Sequence, residues 1–189
     1  MRMLKSMTRA AVAALALAWA APAFAGGSVD VALTHESIRG EHGAVRAGTA
    51  AYLTVGGWYH LDNGQMINAG FHAIDPQNSR PELVAGLGGK TYLFKASGED
   101  TSVAIGLGGF ARYQPPNLNG FGGEVQAYYA PQVLAFSSLD QFLDLQVRVS
   151  YEVLPQGRLF VGYSHIQADY SDSVAEMDSA LTLGFRVRY

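Results

Sequence analysis

The sequence of 189 residues contains sixteen acidic and thirteen basic residues, for a formal net charge of −3, and it has no cysteine. The lack of cysteine excludes disulfide-stapled folds, thiol catalysis and thiolate metal sites. The acidic balance, without any basic patch, argues against a nucleic-acid partner.

The N-terminus has the three-part layout of a secretory signal peptide. It begins with three basic residues, Arg2, Lys5 and Arg9. An apolar run over residues 10–20 follows, and it is shorter than the roughly 20 residues of a membrane-spanning helix. The cleavage site is then marked by Ala23, Ala25 and Gly26. We predict that residues 1–25 are removed after Ala25, which leaves residues 26–189 as one domain with ten basic and sixteen acidic residues.

Alternation of apolar and polar residues begins soon after the predicted cleavage site. In the segment 28–46, the apolar residues Val29, Val31 and Leu33 alternate with Asp30, Ala32 and Thr34. This period of two is that of a β-strand. Two interpretations of this segment stay open. It is either a plug-like N-terminal stretch or a sign that one of the strands predicted below has been split in the wrong place. Further strands are predicted at about 48–61, 65–74 and 82–96, with an Asn-Gly hairpin turn at 62–64.

The clearest alternation lies in the second half of the chain. Between residues 143 and 153 every odd position is apolar and every even position is polar. Residues 103–107, 125–129 and 159–163 repeat the period of two. Alternation alone does not separate a soluble sandwich, whose apolar face packs on a second sheet, from a membrane barrel, whose apolar face meets lipid.

Three features favour the membrane barrel. Predicted strands of about 10–11 residues match a tilted bilayer crossing. Glycines within strands weaken an ordinary sheet, but in a narrow barrel they make room for large inward neighbours. Aromatic residues cluster toward strand ends, as interfacial girdles do: Trp58, Tyr59, Tyr92, Tyr113, Tyr128, Tyr129, Tyr151, Tyr163 and Tyr189. We therefore predict an all-β, transmembrane, antiparallel up-and-down β-barrel.

The chain length predicts the number of strands. At about 20 residues for a strand with its connection, the mature chain allows about eight strands, beginning near residue 48. Bacterial barrels have even strand numbers and place both termini in the periplasm. Periplasmic turns are then expected at 75–81, 115–120 and 155–157. Outer loops are expected at 62–64, 97–101, 130–140 and 171–178.

The C-terminus carries a second export-related pattern. Its last strand alternates apolar and polar residues up to a terminal aromatic, with Leu183, Phe185, Val187 and Tyr189 on one face. This ending is typical of the C-terminal signal by which outer-membrane barrels are inserted. We therefore expect the outer membrane of a Gram-negative bacterium as the location. The expected partners are outer-membrane lipids and, during biogenesis, periplasmic chaperones and the barrel-assembly machinery.

Four segments resemble the YfaZ family of outer-membrane proteins. They are residues 88–92 (GGKTY), 106–109 (GLGG), 128–131 (YYAP) and 151–163 (YEVLPQGRLFVGY). The resemblance covers most of the mature chain and is best from about residue 50 to the end. It implies a small outer-membrane barrel, and it brings no established activity and no catalytic residues.

Charged residues on the inward register predict a network inside the barrel. They are Lys90, Arg112, Glu124, Asp144, Arg148, Glu152, Arg186 and Arg188. Buried charges must be paired to avoid a large desolvation cost, so mixed signs on neighbouring strands indicate a salt-bridged filling. The alternative interpretation is a pore whose charges select solutes.

Candidate catalytic groups are few. Ser164, His165, Asp169 and Asp172 lie near a strand end, but Ser164 and His165 point to opposite faces and cannot form a pair. His60 and His72 lie on strands joined by one hairpin, so we expect that they can approach each other. No hydrolase, zinc or phosphate-loop motif is present. We expect no enzyme activity, no cofactor and no metal.

The sequence thus predicts a structural or envelope-interacting barrel. Two alternatives stay open, a narrow channel for small solutes and an outer-leaflet lipid-modifying enzyme. The loop at 130–140 is more apolar than its neighbours, and it is expected to cover the barrel mouth, to contact a partner or to touch the outer leaflet. The sequence assigns no oligomeric state.

Overall fold

The structure, a computed structural model, describes residues 24–46, 48–75 and 82–189. These residues form ten long strands and one strand of two residues, β8. The strands are β1 (Phe24–Leu33), β2 (Ser37–Arg46), β3 (Ala51–His60), β4 (Gly64–Ile74), β5 (Leu83–Ala96), β6 (Thr101–Tyr113), β7 (Phe121–Ala130), β8 (Ala135–Phe136), β9 (Leu139–Leu154), β10 (Gly157–Tyr170) and β11 (Ser173–Arg188). In the described residues, no helix is both long and apolar enough to cross a membrane.

The ten long strands form one closed antiparallel sheet. Each long strand pairs with the next along the chain, β7 pairs with β9, and β1 pairs with β11 to close the ring. At this seam Val31 is opposite Phe185 and Leu33 is opposite Leu183. Closure removes the unpaired edges that an open sheet exposes. The prediction of an all-β antiparallel up-and-down barrel is confirmed.

The predicted number of eight strands is wrong. The segment 28–46, which had no firm placement, belongs to β1 and β2, which pair with each other and join β11 to β3. The assumed length of a strand with its connection was too large, because several connections are very short. For example, residues 155–156 link β9 to β10, and residues 171–172 link β10 to β11. Because two strands were missed rather than one, the even number is preserved.

The barrel has two distinct ends. The termini end holds the start of β1, the end of β11 and the connections β2–β3, β4–β5, β6–β7 and β9–β10. The loop end holds the other connections, including residues 131–138 between β7 and β9. The predicted outer loop 171–178 is mostly strand, since β11 begins at Ser173. The predicted turn 75–81 falls largely outside the described residues.

Inward glycines accommodate large side chains from neighbouring strands. A Cβ atom at Gly86 would lie 2.7 Å from the ring of Phe110, and one at Gly70 would lie 2.7 Å from the Lys90 side chain. The ring of Phe160 likewise fills the space beside Gly184. The interior of this narrow barrel is therefore packed by placing large residues opposite glycine.

The two faces of the sheet differ sharply in polarity. On β9, Val147 and Val149 are 49% and 55% exposed on the outer face, whereas Asp144 and Gln146 are 0% and 3% exposed on the inner face. Exposed leucine, valine and phenylalanine side chains cover the outer face of the other strands as well, for example Phe71 on β4 and Leu183 on β11. Apolar residues face out and most charged residues of the strands face in, which is the reverse of a soluble barrel.

Candidate functional site

The barrel interior is the candidate site, and its side chains form three successive layers. The termini-end cluster consists of Asp30, Arg112, Glu124, Arg148 and Arg186. The middle cluster consists of Arg39, Glu41, His72, Lys90, Tyr92, Tyr128 and Asp144. The loop-end core is apolar and includes Trp58, Met66, Phe94, Phe142, Ile166, Tyr170 and Met177. Each layer draws residues from several strands, so the closed sheet positions all three.

The termini-end cluster is organised by Arg186. Its guanidinium donates to both oxygens of Asp30, at 2.7 and 2.5 Å, and to Oε1 of Glu124 at 2.6 Å. Arg148 also donates to Asp30, at 3.1 Å. The Nε of Arg112 lies 3.9 Å from Oε2 of Glu124. Two carboxylates from β1 and β7 thus hold three arginines from β6, β9 and β11.

The middle cluster pairs its charges one to one. Arg39 binds Asp144 through two parallel bonds of 3.0 and 2.7 Å, and Tyr92 adds a third bond to that carboxylate at 3.1 Å. Lys90 donates to Glu41 at 2.5 Å. Bidentate arginine–carboxylate pairs are among the strongest hydrogen-bonded ion pairs in proteins. Two of these charged residues, Arg39 and Glu41, come from β2, and their side chains reach across the lumen to Asp144 on β9 and Lys90 on β5.

A tyrosine–histidine bond completes the middle cluster. The hydroxyl of Tyr128 lies 2.6 Å from Nε2 of His72, and both side chains are buried. The Nζ of Lys90 stands 4.9 Å from the centre of the Tyr128 ring, in a cation–π arrangement. The cluster therefore extends from β2 across to β4 and β7, and it spans the lumen.

The loop-end core closes the opposite side of the lumen with apolar groups. The rings of Phe142 and Phe94 lie 4.9 Å apart, and Phe142 also contacts Tyr92 at 4.6 Å. Leu134 and Ala135, from the connection between β7 and β9, pack against this core. Of the roles expected for the loop 130–140, the packing of these two residues fits coverage of the barrel mouth.

Six of the eight predicted charges point into the lumen: Lys90, Arg112, Glu124, Asp144, Arg148 and Arg186. The other two, Glu152 and Arg188, lie at the rim of the termini end, with side chains 37% and 45% exposed and 3.7 Å apart. Glu152 also accepts from Arg158 at 2.7 Å.

Sequence reasoning missed four members of the lumen network. They are Asp30, Arg39, Glu41 and Arg158. Three of them lie in the segment without a firm placement. The alternation of Asp30 with Val29 and Val31 indicated a strand at this position. Because the segment was not assigned to the barrel, the alternation did not show that the Asp30 side chain points into the lumen. A further inward charge that was missed is Asp178, which is 3% exposed and is opposite Ile166 of the loop-end core.

The two histidines of the β3–β4 hairpin do not meet, so that expectation is wrong. His60 is opposite Gly64 beside the turn, whereas His72 is opposite Tyr52 at the other end of the hairpin. Eight residues of strand between these positions correspond to about 26 Å. His60 instead lies 3.6 Å from Glu36 at the loop end.

The serine and histidine near the end of β10 face opposite sides of the sheet. Ser164 is buried in the lumen, while His165 lies on the outer face, 3.2 Å from Gln167. Gln167 in turn donates to Asp169 at 2.7 Å. Within this row on β10, no serine stands beside the histidine. Ser179, opposite His165 on β11, shares a hydrogen bond of 2.6 Å with the hydroxyl of Tyr163. In the described part of the chain, no group of three His, Asp or Glu side chains is arranged to hold a metal ion.

The C-terminal residues lie along the barrel seam. Leu183, Phe185 and Val187 face outward and are exposed. Tyr189 and Gly27 exchange two backbone hydrogen bonds of 3.0 Å, and the Tyr189 hydroxyl reaches Nε2 of His42 at 2.6 Å. Of the predicted cleavage residues, Ala25 and Gly26 lie in β1, and Ala23 lies outside the described residues.

Comparison with known families gives one clear result. The family model described as YfaZ precursor matches residues 4–185, which is nearly the whole chain. The chain therefore belongs to the YfaZ family, as segments of its sequence indicated. No curated protein matches the chain.

Proposed function

We propose that this member of the YfaZ family is a small β-barrel of the Gram-negative outer membrane, with a closed interior and a structural, non-catalytic role in the envelope. In this proposal residues 1–25 are an export signal, the outer face meets lipid, and the termini end faces the periplasm. The reversed polarity of the sheet carries the proposal, because an apolar outer face around a charged interior is stable only in contact with hydrocarbon.

Aromatic side chains support a membrane position for this outer face. Exposed aromatics lie toward the termini end (Tyr113, Phe121, Tyr151) and toward the loop end (Tyr59, Tyr129), and Tyr163 is exposed at the middle of β10. The expectation of a girdle position is wrong for Trp58, Tyr92 and Tyr128, whose side chains are buried in the lumen. On β7, Phe121 and Tyr129 are separated by eight residues, or about 26 Å of strand. At the strand tilt of about 35–45° that is typical of outer-membrane barrels, this length spans roughly 20 Å along the membrane normal, within the apolar band of about 25 Å, so the two groups fit girdles near its two boundaries.

The polarity reverses again near the loop end, which supports a boundary at that level. On β10 the outward residues change from apolar Val161 and Tyr163 to polar His165, Gln167 and Asp169. The inward residues of the same stretch become apolar and form part of the loop-end core. A polar exterior over an apolar core is the arrangement of a protein in water, so this part of β10 fits a position outside the hydrocarbon.

The packed lumen favours a structural barrel over a solute channel. The termini-end cluster, the middle cluster and the loop-end core each span the interior. Moving a solute past them requires breaking buried ion pairs such as Arg39–Asp144, which is costly because the separated charges are left unpaired. The polar row on β10 likewise gives no support to a lipid-modifying enzyme, since Ser164 and His165 face opposite sides of the sheet and the hydroxyl of Ser179 is bonded to that of Tyr163.

Reconstitution separates these functions. We expect the purified, folded barrel to give no single-channel current steps in planar bilayers, under conditions in which an open porin conducts. We also expect no release of fatty acid from phospholipid or from lipid A. Regular current steps would establish the channel alternative, and lipid turnover above that of a boiled sample would establish the enzyme alternative.

A further inference from the structure

The termini-end cluster has one positive charge more than its carboxylates balance. Its three arginines face two acidic partners, Asp30 and Glu124, and all three act electrostatically on both. Arg186 and Arg148 use these carboxylates as hydrogen-bond acceptors. The middle cluster, in contrast, balances Arg39 and Lys90 with Asp144 and Glu41, so it offers no spare negative charge.

Arg112 is the arginine whose charge is least satisfied. In the part of the chain that the structure describes, its ion-pair contact is with Glu124, at 3.9 Å. Its guanidinium otherwise lies over the ring of Phe110 at 4.8 Å and that of Tyr52 at 5.8 Å. Aromatic faces attract the cation but accept few of the five N–H groups of an arginine.

A small cavity lies among these groups. It has about 10 Å³ of free volume, and its polar lining consists of three arginines, one carboxylate and two amides: Arg112, Arg148, Arg186, Glu124, Gln126 and Gln146. The Gln146 side chain is 3% exposed, and its Oε1 accepts a hydrogen bond from Arg148. The amide Nε2 of Gln146 has no hydrogen-bond partner among the described residues. A buried donor without an acceptor thus lines the same cavity as the unbalanced arginine.

We propose that this cavity binds one small monovalent anion of the size of chloride. The free volume fits about one water-sized occupant. Chloride is somewhat larger than water and enters with a small outward movement of the flexible arginine side chains, whereas phosphate and carboxylic acids are several atoms too large. A water molecule satisfies the Gln146 amide but leaves the extra arginine charge unbalanced. The Arg112 side chain is 17% exposed, and an uncompensated charge that is largely buried is expensive. A halide satisfies both. The proposal concerns the barrel interior and does not depend on the membrane position of the outer face.

Thermal unfolding of the folded, full-length mature barrel in detergent tests this proposal. Sodium chloride or bromide is titrated against sodium gluconate at constant ionic strength, because gluconate is too large for the cavity. We expect a saturable rise of the unfolding midpoint with either halide, as mass action requires of a ligand that binds only the folded state. Equal midpoints in halide and gluconate would overturn the proposal.

Three variants locate the effect. Arg112→Gln should abolish the response to halide. Gln146→Glu places a fixed carboxylate at the cavity, so its midpoint should no longer depend on halide even if Arg112→Gln fails to fold. Arg188→Gln removes the same charge at the exposed rim and should keep the full response of the wild type. A halide response that persists in both Arg112→Gln and Gln146→Glu would place the ion elsewhere and contradict the proposal.

Bromide also reports its own position. In crystals grown with bromide, an anomalous-scattering peak is expected between Arg112 and Gln146. A water molecule there without anomalous signal would show that the amide alone is satisfied, and it would overturn the anion site.

Discussion

At the scale of single residues, a buried ion pair contributes little net stability but is costly to break. The Arg39–Asp144 pair has side chains only 6% and 0% exposed, so both charges are withdrawn from water. Such a pair adds little net stability compared with well-packed apolar residues, but removing one partner is severe because the other charge stays buried. The contribution of the pair to stability is therefore measured by removing one of its two charges.

Replacing Asp144 tests this directly. We expect Asp144→Asn to lower the free energy of unfolding by about 3–5 kcal/mol, because Arg39 loses its counter-charge in the lumen. Asp172→Asn removes the same charge in the exposed two-residue turn between β10 and β11, and it should change stability by no more than about 0.5 kcal/mol. Urea unfolding in detergent measures both. Equal effects of the two variants would mean that the lumen is hydrated rather than packed.

At the scale of strands, the seam between β1 and β11 depends on the last residue. Tyr189 extends the β1–β11 pairing by two backbone bonds with Gly27, and its side chain bonds to His42 on β2. We expect Tyr189→Ala to reduce the fraction of protein that folds into membranes, without changing synthesis or export. Tyr189→Phe keeps the aromatic ring and should fold more than Tyr189→Ala does. The faster migration of unboiled, folded protein on a denaturing gel measures this fraction. Wild-type folding of Tyr189→Ala would remove the case for a C-terminal insertion signal.

A second strand-scale prediction concerns the polarity change along β10. Val161 and Gln167 both face outward, but only Val161 lies among the exposed apolar residues of β10, with Leu159 and Tyr163 on either side of it. We expect Val161→Arg to cost about 2–4 kcal/mol in lipid, the cost of arginine at the lipid face near the midplane. Gln167→Arg should cost less than about 1 kcal/mol, because its side chain extends into water or headgroups. Unfolding by denaturant in phospholipid vesicles compares them, and similar costs would contradict the proposed boundary.

The sequence predicted strands where alternation was strong and failed where it was weak. The alternation over residues 143–153 lies wholly within β9, and the predicted strands 65–74 and 82–96 nearly coincide with β4 and β5. β2 was missed because Gly40 and Gly43 interrupt the pattern of apolar residues. The fold placed Arg39 and Glu41 of this strand inside the barrel, and only the pairing of β2 with β3 and β1 reveals their direction.

At the scale of the whole molecule, the barrel has two kinds of interior. Charged clusters fill the part of the interior toward the termini end, and an apolar core fills the part toward the loop end, where the exterior becomes polar on β10. Long-range partners such as Arg39 with Asp144 and Asp30 with Arg186 are 105 and 156 residues apart in the sequence. No local pattern encodes such pairs, so they were predictable as inward charges but not as pairs.

Membrane-embedded labelling tests the central claim most directly. The chain has no cysteine, so single cysteines can be placed at outward positions 161, 163, 165 and 167 and at inward positions 160, 162, 164 and 166 of β10. An apolar, photoactivated reagent dissolved in the bilayer then reacts with those cysteines that are in contact with lipid. We predict labelling at 161 and 163, a sharp fall at 165 and 167, and none at the inward positions. Labelling of the inward set, or of no position on β10, would contradict a barrel whose outer face meets lipid.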